Sequence, residues 1–116
     1  MTEVRFSVLY RGTPVPDRFT QLSRRSRRAI LTKAIPLLKD IPGYAYILAT
    51  QCFDHRLPGG GVQWTVEMSL ICKHESAQVP SNEISSMRNI CFGPSMEDAI
   101  ANSLPKFLNR LETASQ

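Results

Sequence analysis

The stretch VQWTVEMSLICK, residues 62–73, constrains the fold more than any other part of the chain. Apolar and polar side chains alternate along it, which is the period of a β-strand with one buried and one solvated face. The apolar face carries Val62, Trp64, Val66, Met68, Leu70 and Cys72. Such a strand needs paired strands beside it and a second layer over its apolar face. We therefore expect an antiparallel sheet that is covered on one side by helices.

Three further segments have strand character. They are VRFSVLY at 4–10, YAYILATQCF at 44–53 and SMRNICF at 86–92. Each contains β-branched, aromatic or other apolar residues and is bounded by polar residues, glycine or proline. The segments predicted to be loops are 11–19, 54–61 and 74–85.

Two segments have helical spacing. The first can be capped by Thr20 or Ser23, and its apolar positions are Ile30, Ala34, Leu37, Leu38 and Ile41. Pro36 is expected to kink this helix or end it early, because its ring clashes with the carbonyl group one turn back. The second begins after Ser95, with Asp98 placed as in a capping box. Its apolar stripe is Ala99, Leu104, Phe107, Leu108 and Leu111.

The predicted element order is β-α-β-β-β-α, without internal repeats or a second domain. We expect an α+β fold in which two helices pack on one face of an antiparallel sheet. Residues 1–116 then form a single domain. Within it, 1–19 are an extra N-terminal strand and loop, 20–111 are the core and 112–116 are a frayed tail.

The positive charge is concentrated at the front of the chain. Up to Lys39 there are nine basic and two acidic residues, whereas the remainder has five basic and eight acidic residues. A basic segment favours a polyanionic partner such as RNA, DNA or an anionic membrane.

Cysteine usage and apolar patterning indicate the compartment. Three cysteines are an odd number in a small protein, which argues against a disulfide framework and for a reducing compartment. No apolar run is long enough to span a membrane, and the first residues lack the pattern of a secretory signal. We expect the cytoplasm or the nucleus.

The main candidate site is a basic cluster in the first predicted helix. It consists of Arg24, Arg25, Arg27, Arg28 and Lys33. Its four arginines span just over one helical turn and can contact several phosphates at once, which gives salt-dependent, sequence-tolerant affinity. The alternative is the solvated end of an ordinary helix. An anionic membrane surface is a less favoured partner, because the stretch has no Trp or Phe to insert at the interface.

Three local patterns match a known family. Pro42 and Tyr44 stand as proline-x-tyrosine before a strand, and WTVEMSL at 64–70 is similar to a phenylalanine-threonine-valine-glutamate-valine strand. The closing helix keeps the register of Gly93, Ser95, Ala99, Leu108 and Leu111. With the order α-β-β-β-α from Ser23 to Leu111, the chain resembles the double-stranded-RNA-binding domain. The resemblance implies binding that reads duplex shape more than sequence.

The chain departs from this family where the family contacts RNA. Two lysines at the start of its last helix are Met96 and Glu97 here, and a third basic position is Ile100. Its glycine-proline-x-histidine loop is replaced by HRLPGGG, in which His55 and Arg56 are the candidates to stand in. The resemblance thus implies either that binding has moved to the basic cluster or that the domain is a protein-interaction module.

Other chemistry is less favoured by the sequence. Cys52, His55, Cys72 and His74 are residue types that bind zinc. However, their spacing is not that of a common zinc finger, and strand alternation places Cys52 and His55 on opposite faces. Trp64 is better explained as a core anchor than as a base-stacking platform. No paired carboxylates or activated nucleophile can be argued from spacing, so we expect no enzymatic activity, cofactor or small-molecule substrate.

Together these patterns predict a non-enzymatic RNA-binding protein. It would contact the sugar-phosphate backbone through the basic cluster, with His55 and Arg56 as a second contact. The alternative is an interaction or homodimerisation module that uses the first strand or the apolar residues around Leu9 and Phe53. A small viral matrix-like protein that assembles at anionic membranes is a third possibility.

Overall fold

The computed structural model of the protein describes residues 4–15, 22–39, 42–74 and 82–114. The capping candidate Thr20 and the predicted helical residue Ile41 lie outside these residues. The elements are β1 (Val4–Tyr10), β2 (Thr13–Pro14), α1 (Arg24–Ala34), a 3₁₀ turn (Ile35–Leu37), β3 (Tyr44–Arg56), β4 (Val62–His74), β5 (Asn82–Phe92) and α2 (Met96–Ala114).

The protein has an α+β fold with a mixed sheet in the order β2-β1-β3-β4-β5. β1 runs parallel to β3, and the other neighbouring pairs are antiparallel. The predicted β-α-β-β-β-α antiparallel sheet is therefore wrong in strand direction and in strand number. The direction follows from the connection: α1 lies between β1 and β3, and a helical crossover returns the chain to the same end of the sheet.

The additional strand, β2, comes from a tight turn inside the predicted loop 11–19. Arg11 and Gly12 both have positive φ angles, of 50° and 82°. Two such residues form the type of two-residue turn that suits a hairpin, and Tyr10 pairs with Thr13 across it. Arginine is uncommon at positive φ. Of the two turn residues, only Gly12 therefore indicated this turn in the sequence.

Two strands extend into predicted loops. β3 continues through Arg56 because its pairing with β4 runs without interruption to the Arg56–Val62 pair. Gly59 and Gly60, at positive φ, then close the hairpin. β5 begins at Asn82 rather than at Ser86.

The core lies between the sheet and the helices. The even-numbered side chains of β1, β3 and β4 face it, as the alternation predicts, and Ile30, Ala34, Phe107 and Leu111 from the helices are fully buried in the same cluster. Trp64 is 6% exposed and donates its indole N–H to the carbonyl oxygen of Gly93 at 3.1 Å, which confirms it as a core anchor. The odd-numbered side chains of these three strands point away from the helices and form what we call the outer face. In β5 the outer face carries Ser86, Arg88, Ile90 and Phe92, which pair with odd-numbered residues of β4.

Both helices begin at the predicted caps. The hydroxyl of Ser23 accepts a hydrogen bond from the N–H of Ser26, and that of Ser95 accepts one from the N–H of Asp98. α1 ends at Ala34 and passes into the 3₁₀ turn that contains Pro36, which confirms the predicted early end. α2 continues to Ala114. No helix in the described parts of the chain is both long and apolar enough to cross a membrane.

Candidate nucleic-acid interface

Three arginines of the basic cluster lie together on the first turns of α1. Arg24, Arg25 and Arg28 are exposed, and Arg28 is three and four residues from the other two, so their side chains share one side of the helix. None of them has an ion-pair partner among the residues that the structure describes. We call these three residues the arginine surface.

The charge of the arginine surface is unfavourable to the helix that carries it. The N-terminal end of a helix has a partial positive charge, and acidic residues normally stabilise it. The first turn of α1 has no acidic residue. Arg24 and Arg28 also repel each other at i,i+4 spacing, at a cost of a few tenths of a kcal/mol. A bound polyanion would remove both penalties.

Arg27 has a different environment from its neighbours. Its guanidinium carbon lies 5.5 Å from the centre of the Phe6 ring in β1, a cation–π distance. Its Nε atom is buried, with no hydrogen-bond partner among the described residues. Arg27 therefore links α1 to β1, and its half-buried side chain is less accessible to a ligand than those of the arginine surface.

Lys33 is directed to the second helix. Its Nζ atom lies 3.4 Å from a carboxylate oxygen of Glu112 in α2, and both side chains are about half exposed. The structure thus divides the predicted basic cluster into the arginine surface, the Arg27 contact and the Lys33–Glu112 ion pair. The periodicity of the sequence could not reveal this division, because the division depends on which elements pack against α1.

The predicted second contact is distant from the first. His55 and Arg56 are exposed at the end of β3. Phe6, which Arg27 covers, pairs with Leu48, and His55 is seven residues further along the strand, roughly 23 Å. His55 also points to the outer face, opposite the helices. The arginine surface and His55 do not form one continuous site.

The family's other RNA-contacting positions have ordinary structural roles. Ile100 is 1% exposed and belongs to the core, and Met96 packs against that core. Glu97 is exposed in the first turn of α2, where an acidic side chain stabilises the helix.

Sequence reasoning missed a basic pair on the outer face. Arg5 and Lys73 line a cavity of about 320 Å³ together with Ala45 and Ile47. Alternation alone assigns both to the outer face, but their proximity depends on the parallel register in which Arg5 pairs with Ile47.

The four zinc-type residues are not gathered into a site. Cys52 pairs with Val66 and Cys72 with Tyr46, so the two cysteines lie six residues apart along the ladder, roughly 20 Å. Burial raises the pKa of the Cys52 thiol to about 12, which opposes the thiolate that zinc needs. In the described ranges, no three His, Cys, Asp or Glu residues are grouped to hold a metal.

Comparison of the chain with protein-family models finds no match, and comparison with curated protein sequences finds none either.

Proposed function

We propose that this protein binds duplex RNA through the arginine surface. The observation that carries the proposal is that Arg24, Arg25 and Arg28 are exposed on one side of α1 without ion pairs in the described parts of the chain. Guanidinium groups suit phosphate oxygens, because their N–H donors form a planar fork. The partial positive charge at the start of α1 acts in the same direction.

The expected mode is contact with the sugar-phosphate backbone. Arginines on a helix surface neutralise phosphates and release counterions, whatever the base sequence. Preference for RNA over DNA then depends on duplex geometry and on the 2′-hydroxyl groups. The expected properties are weak sequence dependence, strong salt dependence and preference for duplex RNA.

The test is fluorescence anisotropy with a labelled RNA duplex of about 20 base pairs, longer than the ~16 that double-stranded-RNA-binding domains span. Unlabelled duplex DNA and single-stranded RNA serve as competitors. The triple variant R24E/R25E/R28E is expected to lose binding at low salt. Single reversals are expected to reduce the slope of log affinity against log salt by about 1 each.

The control is Lys73→Glu, which makes the same charge change as a single arginine reversal, but on the outer face. It is expected to retain the affinity of the unmodified chain for duplex RNA. If Lys73→Glu abolishes binding and the triple variant does not, the RNA surface is the outer face and the proposal is wrong. Absence of binding by the unmodified chain at low salt would reject RNA as the ligand.

A second candidate function is protein interaction through the outer face. Ile90 and Phe92 are large apolar residues of β5, 58% and 64% exposed, and both point to that face. Exposed apolar side chains that lie together mark interaction surfaces. Under this reading, the double variant I90S/F92S loses a protein partner, while R24E/R25E/R28E retains it.

A further inference from the structure

Among the described strands, β5 forms the longest free edge of the sheet. β5 spans 11 residues, contains no proline, and pairs only with β4 among the described strands. The opposite edge strand, β2, has two residues. A long edge strand exposes unpaired backbone N–H and C=O groups, which are a template for another strand.

We propose that β5 pairs with β5 of a second copy of this chain. The two strands run antiparallel about a two-fold axis at Ser86 and join the two sheets into one of ten strands. Closed two-fold pairing is the commonest form of protein self-association. The interface is the same strand in both copies, so its charges must be self-complementary.

A bulge supplies that complementarity. Leu70 of β4 pairs with Ser85, but the next residue, Ile71, pairs with Glu83, so Ile84 is an additional residue in β5. Glu83 is thereby directed to the outer face, which also carries Arg88. With the axis at Ser86, Met87 faces the bulged residues Ile84 and Ser85 of the second copy, and Arg88 faces Glu83 of the second copy on the outer face. Two equivalent ion pairs result.

The space beside residues 83–88 of β5 is open to a second chain. A cavity of about 560 Å³ is lined by Ser86, Arg88 and Glu83, and by Arg110 of α2. Arg88 already contacts Glu67 at 3.0 Å, yet its side chain is 69% exposed and can accept a second carboxylate. Glu83 is exposed and has no ion pair within the described ranges.

Self-pairing has a consequence that rests on the proposed function. A two-fold axis perpendicular to the sheet keeps the helices of both copies on the same side. The two β1 strands, over which Arg27 anchors α1, are then seven strand spacings apart, roughly 34 Å at about 4.8 Å each. Two arginine surfaces would face the same RNA.

The first test is the molar mass of the full chain without RNA, by sedimentation equilibrium over a range of concentrations. The unmodified chain is expected to dimerise. Glu83→Arg and Arg88→Glu are each expected to be monomeric, because each places like charges together, and a one-to-one mixture of them is expected to form the heterodimer, in which both contacts are again opposite in sign. Glu97→Arg, a matched reversal on α2, is expected to remain dimeric.

The second test places a cysteine at the axis. Facing residues of paired strands have Cα atoms 4.5–5.5 Å apart, within the range of a disulfide. Ser86→Cys is therefore expected to cross-link two copies under mild oxidation, faster than Ser69→Cys on the same face of β4. The proposal is overturned if the unmodified chain is monomeric, if the mixed variants do not associate, or if the two cysteine variants cross-link equally. All readouts are made without RNA, so failure of the RNA proposal does not affect them.

Discussion

A cluster of three side chains joins the first hairpin to the centre of the sheet. The hydroxyl of Tyr10 donates a hydrogen bond to Asp54 at 2.5 Å, and Nε of Arg11 lies 2.9 Å from the same carboxylate oxygen. The hydrogen bond from Tyr10 is the largest cause of a lowered pKa at Asp54, and Arg11 adds to it. The cluster stabilises β1 beside the end of β3, where no prediction from the sequence had placed a polar contact.

Tyr10→Phe is expected to lower the free energy of unfolding by about 1 to 2 kcal/mol at neutral pH, since it removes a hydrogen bond to a charged group. A lowered pKa in the folded state contributes stability above the unfolded pKa of about 3.9. That contribution is lost as the pH falls through the folded value. The difference between the unmodified chain and Tyr10→Phe should therefore narrow in acid, as measured by urea unfolding at several pH values.

Asp54→Asn provides the comparison, because its side chain does not titrate. Its free energy of unfolding should also approach that of the unmodified chain in acid. A difference for Tyr10→Phe that stays constant across the acid range would show that the hydroxyl of Tyr10 does not stabilise the fold through the charged carboxylate. Packing against Trp64, whose ring centre lies 6.2 Å away, does not account for a difference, because phenylalanine keeps the ring.

At the scale of elements, the charges of α1 favour the proposed function but not the stability of the helix. Its first two turns carry three exposed arginines, and two of them, Arg24 and Arg25, lie in the first turn, where acidic residues would stabilise the helix. Lys33 in the last turn has the favourable sign of charge. Selection for stability alone would not favour this arrangement of charges.

The variant R24E/R25E/R28E is expected to be more stable than the unmodified chain, by about 1 kcal/mol, because Arg24→Glu and Arg25→Glu place negative charge in the first turn of α1. Lys33→Glu makes a single reversal of the same sign at the other end of α1, removes the ion pair with Glu112 and should lower stability. Thermal unfolding at low salt measures both. If the triple variant unfolds at a lower temperature than the unmodified chain, the three arginines make stabilising contacts and do not form a free surface.

An element could be predicted when the residues that determine it are close together in the sequence. The alternation along β4 and the caps Ser23 and Ser95 are local signals, and they were sufficient. The parallel pairing of β1 was not predicted, because period two gives the buried face of a strand but neither its neighbour nor its direction. The division of the basic cluster was not predicted for a similar reason: Phe6 and Glu112 are remote in sequence from Arg27 and Lys33, which they contact.

At the scale of the whole molecule, the strands differ in how they are held. β3 and β4 have a partner on each side, whereas β1 is paired with β3 and with only two residues of β2. Sheets often open in such parts before they unfold completely.

Native-state hydrogen exchange is expected to show this order. Amides of β3 and β4 should exchange only through global unfolding, and those of β1 through a partial opening of lower free energy. Tyr10→Phe should lower the opening free energies of β1 and of β4 by the same amount, because both the partial opening and global unfolding break the hydrogen bond to Asp54. If β1 and β4 amides share one free energy in both proteins, the sheet unfolds as a single unit.

The parallel pairing of β1 with β3 also determines when β1 can pair during translation. Val4 pairs with Tyr46, so β1 leaves the ribosome 42 residues ahead of the strand that it needs. At roughly 5–20 residues per second, this delay lasts about 2 to 8 s. β3 and β4 can form their hairpin as soon as both have emerged, whereas the apolar side of β1 must wait in the nascent chain. This waiting strand is where a chaperone would be needed first.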